Sequence, residues 1–94
     1  MLVGAAPSQL KQALIVADRS LDAVLKDVAV GEGMAQRLIN AQKLFSPQTY
    51  QKLWDAHKLR NALVHESGFE VQYFILKNSV QNIRSGLREL GVKL

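Results

Sequence analysis

The chain has 94 residues, of which 48% are hydrophobic, and this length predicts one domain, residues 1–94, that buries about 60–65% of its unfolded surface. It contains no cysteine and only two histidines, which excludes disulfides, thiolate nucleophiles and cysteine-ligated zinc, so we expect no metal site and no cofactor. Twelve Lys and Arg against eight Asp and Glu give a net charge of +4, a mild and dispersed excess that permits binding to RNA without indicating it.

No apolar run approaches the roughly 20 residues of a membrane span. The first residues, MLVGAAP, lack the basic region and long apolar core of a signal peptide. We therefore expect a cytoplasmic protein with no membrane insertion by this segment. A membrane anchor upstream of residue 1 stays open as an alternative if the chain is a piece of a longer protein.

Apolar residues recur at helical spacing in four segments. The first, about residues 8–30, begins with Ser8 as the predicted N-cap and ends before Gly31. Its predicted buried stripe is Leu10, Leu14, Ala17, Leu21, Val24 and Val28. Its solvent side is predicted to carry Asp18, Arg19 and Asp22. The second segment, about residues 34–44, is short, with a partly apolar face of Met34, Leu38, Ile39 and Ala41.

The third segment, about residues 47–66, starts with Ser46 at the N-cap and Pro47 at the first helical position. The fourth, about residues 69–90, ends at Gly91. Its predicted apolar stripe is Phe69, Tyr73, Leu76, Val80, Ile83, Leu87 and Leu90. Aromatic side chains in these two segments are predicted to pack in the core or an interface rather than stack on bases: Tyr50, Trp54, Phe69, Tyr73 and Phe74.

Four helices joined by short connections predict an all-α fold, an antiparallel bundle of four or five helices. A core this small gains stability from a second copy of the chain, so we expect a homodimer.

The third helix carries an unusual polar stripe. His57, Asn61 and His65 are four residues apart and share one drifting face, which Arg60 adjoins. An imidazole exchanges protons near neutral pH, and a guanidinium binds phosphate through two parallel hydrogen bonds. These groups together suit cleavage of RNA, whose own 2′-hydroxyl is the nucleophile, without a metal.

The spacing within the stripe limits what one copy can do. Arg60 and His65 are five residues apart, which is about 140° around the helix and about 7.5 Å along it. Two copies related by a two-fold axis would place two arginines and two histidines in one cleft. The sequence therefore predicts a composite site at a dimer interface.

The segment RNALVH, residues 60–65, resembles the signature of the HEPN domain family: arginine, a polar residue, a few variable residues, then histidine. The longer segment LWDAHKLRNALVHE, residues 53–66, is similar to small bacterial HEPN-like proteins. The resemblance implies a dimeric helical bundle, and in many members a metal-independent endoribonuclease of toxin–antitoxin, phage-defence or RNA-processing systems. RNA, and an antitoxin or other protein, are then the expected partners, and no DNA partner is expected.

Carried over residue by residue, the resemblance assigns phosphate contact to Arg60, proton transfer to His65 and orientation to Asn61. His57, Lys58 and Glu66 are the accompanying candidates for substrate binding. Without the resemblance, the residues have simpler interpretations. His65 would cap the end of the helix, His57 would lie at the surface or an interface, and Arg60 would pair with Asp55 or with Glu66 across a dimer.

Three functions follow from these alternatives. The favoured one is a metal-independent endoribonuclease. The second is a non-catalytic dimerisation or interaction module that binds a protein or nucleotide partner through the same stripe. The third is a nucleotide or ligand sensor that uses a cleft of the bundle.

Overall fold

The computed structural model describes residues 7–66, 68 and 70–93. In that part of the chain every regular element is helical: α1 (Pro7–Val28), α2 (Met34–Asn40), a 3-10 helix (Gln42–Leu44), α3 (Pro47–His65) and α4 (Tyr73–Glu89). The all-α prediction is confirmed. Three helices of 22, 19 and 17 residues dominate, and α2 has only 7 residues.

The signals at two helix ends are confirmed in atomic detail. The Ser46 hydroxyl accepts the Thr49 N–H at 3.3 Å, and Pro47 follows it at the start of α3, as expected of a capped N-terminus. At the end of α4, Gly91 has φ +90°, and the Val92 N–H donates to the Leu87 carbonyl at 2.9 Å. This is the left-handed glycine closure common at helix ends.

Three predicted boundaries differ from the structure. Ser8 lies inside α1, which starts at Pro7, so it is not the N-cap. The second segment stops being α-helical at Asn40 and tightens into the 3-10 helix. The fourth helix begins at Tyr73 after an extended Gln72 with ψ 144°, whereas periodicity predicted a start at residue 69. Phe69 itself lies outside the described residues. Apolar spacing indicates which side chains face inward. A segment that is not helical can continue that spacing, so the spacing alone does not locate the start of a helix.

The core is a single cluster contributed by all four α-helices. Its completely buried large side chains are Leu10, Leu14, Leu21, Leu25, Leu38, Leu53, Leu76 and Ile83, each stabilising the fold by about 1.5–3 kcal/mol. On α4 the predicted residues Leu76, Val80, Ile83 and Leu87 are all buried. On α1 the stripe continues through Leu25, while Val28 is 46% exposed.

The long helices pack against one another in pairs, and α2 packs on α1. Ser46 and Thr49, at the start of α3, hydrogen-bond to Glu89 at the end of α4. Helices α3 and α4 are therefore antiparallel. Arg37 joins α2 to α1 with a forked ion pair, in which Nε and Nη2 lie 2.9 and 3.1 Å from the Asp22 carboxylate.

Two groups of predicted positions are wrong. Asp18 is 3% exposed and Asp22 is only partly exposed, so of the three charged residues predicted on the wet side of α1 only Arg19 is fully exposed. Phe74 was predicted to pack, yet it is 58% exposed. Tyr50 and Trp54 do pack, with ring centroids 6.3 Å apart in an edge-to-face contact.

Candidate functional site

A buried polar cluster joins α1 to the middle of α3. Its members are Asp18 on α1 and His57, Arg60 and Asn61 on α3. Asp18 occupies a core position between Leu14 and Leu21, so its carboxylate is directed into the interface between these helices. Burying a carboxylate is costly unless charged and hydrogen-bonding partners surround it, and α3 supplies both.

His57 is the hydrogen-bonding partner. Its Nδ1 lies 3.2 and 3.1 Å from the two carboxylate oxygens of Asp18, and only 8% of the residue is exposed. A carboxylate can only accept hydrogen bonds, so Nδ1 carries the proton. In the neutral ring, Nε2 is then the acceptor, and the Asn61 amide nitrogen approaches it at 3.5 Å. The edge of Trp54 packs against the same imidazole, with centroids 6.2 Å apart.

Arg60 is the charged partner. Its Nε lies 3.6 Å from Asp18 Oδ2, which is an ion pair but longer than a hydrogen bond. Its Nη1 donates to the side-chain carbonyl oxygen of Asn61, Oδ1, at 3.1 Å. Nε is buried and has no hydrogen-bond partner among the described residues, while 27% of the side chain stays exposed. The Arg60 side chain is thus contacted by Asp18 and Asn61 and stays partly exposed.

Asn61 connects the other two residues of α3. Its carbonyl oxygen accepts from Arg60, and its NH₂ group faces the His57 ring. This arrangement fixes the orientation of the amide, because an inverted amide would place the NH₂ group against a cation. Asn61 thus links Arg60 and His57 within the cluster, and the orienting role predicted for it in catalysis stays a prediction.

The remaining candidates lie outside this cluster. His65 is the last residue of α3 and is exposed, and it makes no hydrogen bond or ion pair with the described part of the chain. Lys58 and Glu66 are exposed as well. The structure therefore brings together His57, Arg60 and Asn61, and it leaves His65 at the end of the same helix without a partner in the described ranges.

Two of the simpler interpretations are wrong within the chain. His57 is buried rather than at the surface. Arg60 pairs with Asp18, whereas Asp55 accepts a hydrogen bond from Gln51 at 3.1 Å. Sequence reasoning missed Asp18, although its spacing of four from Leu14 and three from Leu21 placed a charge on a core-facing position. That conflict between residue type and position was the available signal.

The cluster has a definite electrostatic balance. Asp18 and Arg60 compensate each other's charge, and the partly exposed Arg60 side chain stays accessible to an anion. In the described ranges, no group of three or more acidic or histidine side chains is placed to hold a metal ion. A shallow open groove of about 360 Å³ lies at the other end of α3, between Gln42, Lys43, Phe45, Pro47 and Tyr50.

Within residues 7–66, 68 and 70–93, none of the helices combines the length and apolar character that crossing a bilayer requires. Comparison with protein-family models, with curated proteins and with solved structures gives no match.

Proposed function

We propose that this chain is a HEPN-like, metal-independent endoribonuclease that works as a homodimer. One observation carries the proposal: Arg60 is held by Asp18 and Asn61 while its side chain stays partly exposed, and His65 on the same helix is exposed without a hydrogen-bond or ion-pair partner among the described residues. A fixed cation and an accessible imidazole on one helix supply the two requirements of this chemistry, namely anion binding and proton transfer.

The proposed reaction is transesterification of RNA. His65 of one copy accepts the proton of a 2′-hydroxyl, whose oxygen attacks the adjacent phosphorus. Protonated His65 of the second copy donates a proton to the departing 5′-oxygen. The products are a 2′,3′-cyclic phosphate and a 5′-hydroxyl. Arg60 contacts the non-bridging phosphate oxygens and stabilises the charge that develops on them.

The second copy has a specific purpose in this proposal. Arg60 and His65 are separated by about 140° around α3 and about 7.5 Å along it, so one copy presents them to different directions. Pairing two copies about a two-fold axis lets Arg60 of each copy act with His65 of the other. The HEPN-like bundle is part of the same proposal.

The buried cluster changes the role assigned to His57. Because its Nδ1 is bonded to Asp18 and the ring is nearly inaccessible, we assign it to positioning rather than to substrate contact. Lys58 and Glu66 remain the proposed flanking contacts, because both are exposed near the motif.

The test is a cleavage assay with cellular RNA and excess chelator. Wild type should produce fragments with 2′,3′-cyclic phosphate ends, and His65→Ala and Arg60→Gln should each reduce the rate by at least about 100-fold. Lys52→Gln, an exposed change on the same helix, should cut at the wild-type rate. A folded wild-type dimer that cuts no RNA, in the tube or in cells, refutes the proposal.

A second candidate is a non-catalytic dimerisation or interaction module. The exposed apolar side chains Val64, Phe74 and Ile75, near the end of α3 and the start of α4, favour it. In this case Arg60→Ala and His65→Ala should weaken dimerisation or partner capture. Sedimentation that shows an unchanged dimer for both variants counts against it.

A further inference from the structure

Helix α4 carries three basic residues on one narrow face. Lys77, Arg84 and Arg88 are spaced by seven and four residues, which places them within an arc of about 40° along about 16 Å of the helix. Lys77 and Arg84 are partly exposed, and Arg88 is exposed. We call these three residues the α4 basic stripe.

The positive charge of this stripe is not neutralised within the described part of the chain. None of its three members makes an ion pair there, whereas Lys11, Lys26, Arg37 and Arg60 each do. The only carboxylate of α4, Glu89, points about 100° away from Arg88 and is bonded to Ser46 and Thr49. The stripe therefore presents three uncompensated cations to solvent.

An exposed aromatic ring adjoins the stripe. Phe74 is 58% exposed and precedes Lys77 by one helical turn. Its neighbours Tyr73 and Ile75 are exposed too, but the exposed positions farther along the helix are polar: Asn78, Gln81 and Ser85. Helices that lie on membranes have a continuous apolar face, which this surface lacks. An aromatic ring beside a row of cations is instead the combination that binds single-stranded nucleic acid, since the ring stacks on a base and the cations contact phosphates.

We propose that the exposed face of α4 binds single-stranded RNA. Phe74 stacks on one base, and Lys77, Arg84 and Arg88 contact successive parts of the phosphate backbone. Single-strandedness follows from the exposed ring, which needs an unstacked base. The choice of RNA over DNA rests on the proposed function. The four residues of this surface are not among the residues proposed for catalysis, so binding and cleavage can be tested apart.

The experiment measures binding without cleavage. The probe is a short fluorescent single-stranded RNA with every 2′-hydroxyl methylated, which removes the nucleophile, and anisotropy is read over a series of salt concentrations. The test variant carries Lys77→Gln, Arg84→Gln and Arg88→Gln. The matched control carries Arg19→Gln, Lys43→Gln and Lys52→Gln, three exposed cations elsewhere with the same total charge change. Circular dichroism confirms that both variants fold.

The stripe variant should bind at least about ten-fold more weakly at low salt. Its slope of log affinity against log salt should fall by about 2, because each lost phosphate contact on a single strand removes about 0.7. Phe74→Ala should weaken binding at least about five-fold and leave that slope unchanged. The control should lose less than about three-fold, and duplex RNA should bind wild type more weakly than the single strand.

The inference is overturned if the stripe variant and the control lose RNA affinity equally, or if wild type does not bind the probe. Its failure is distinguishable from failure of the proposed function. If wild type binds the probe through α4 but cleaves no unmodified RNA, only the proposed nuclease is refuted. If the stripe variant binds and cleaves RNA as wild type does, only the α4 surface is refuted.

Discussion

Replacing Asp18 with asparagine tests whether the buried cluster holds α1 to α3. The substitution keeps the shape of the side chain but removes the charge that faces Arg60 and replaces one of the two oxygens near His57 Nδ1 with an NH₂ group. The new NH₂ group would point at either an N–H or a guanidinium. Asp18→Asn therefore leaves a partly buried cation without its counter-charge.

The magnitude follows from the burial of the two partners. Removing one member of a fully buried ion pair costs about 3–5 kcal/mol. Here the Asp18 side chain is 4% exposed but that of Arg60 is 27% exposed, and their 3.6 Å contact is not a hydrogen bond. We therefore expect a loss of about 2–3 kcal/mol in the free energy of unfolding, which lowers the melting temperature by about 10–20 °C for a domain of this size.

Urea unfolding at neutral pH, followed by circular dichroism and by fluorescence of the single Trp54, measures this loss. Asp27→Asn is the matched control, because Asp27 is exposed on the same helix, and it should change stability by less than about 0.5 kcal/mol. Combining Asp18→Asn with Arg60→Gln should cost less than the sum of the two changes. An effect of Asp18→Asn as small as that of the control would refute the assignment of the cluster as a structural tie.

Three other contacts give independent predictions. Hydrogen bonds from a threonine hydroxyl and a serine amide lower the pKa of Glu89 below its ordinary 4.5, so its stabilisation is present above that pH and lost as the pH falls through the folded-state pKa. Glu89→Gln should lower the melting temperature at pH 7 and have little effect near about pH 2. Arg37→Lys should cost about 1–2 kcal/mol in urea unfolding, since an ammonium cannot reproduce the fork to Asp22. Gly86→Ala should cost about 1 kcal/mol net in the same assay, because its Cβ would lie 2.7 Å from a Leu53 methyl, and overpacking outweighs the gain in helix propensity.

Each of these changes has an exposed control: Glu32→Gln, Arg88→Lys and Ser85→Ala respectively. A pH-independent effect of Glu89→Gln would contradict the assignment of its lowered pKa. An Arg37→Lys variant as stable as wild type would show that the fork adds nothing beyond charge. A stabilised Gly86→Ala variant would mean that Leu53 moves aside at little cost.

The helices were predictable because their signals are local. Ser46 followed by Pro47 marks a helix start, Gly91 marks an end, and both work through backbone groups within a few residues. The stripe from Leu76 to Leu87 was found for the same reason, since a fixed period puts these side chains on one face.

The cluster was not predictable in the same way. His57 and Arg60 were placed on a polar face because polar residues usually are, and nothing local indicates that a carboxylate 39 residues before His57 will contact both. Asp18 breaks the apolar stripe of α1 at a core position, which indicates a buried partner but does not identify it. Phe74 is the opposite case, because an apolar side chain that was predicted to pack is exposed. Single apolar residues are common on protein surfaces.

The bond between Glu89 and Ser46 also bears on the order in which the molecule assembles. The Ser46 N–H, which precedes α3, is bonded by a carboxylate that lies 43 residues later in the chain, so during synthesis α3 emerges before this partner exists. Until α4 is in place, this N–H has only solvent as a partner. The Ser46 amide proton, which lies ahead of the first turn and would otherwise exchange rapidly with solvent, therefore reports on how often the Glu89 side chain at the end of α4 releases it.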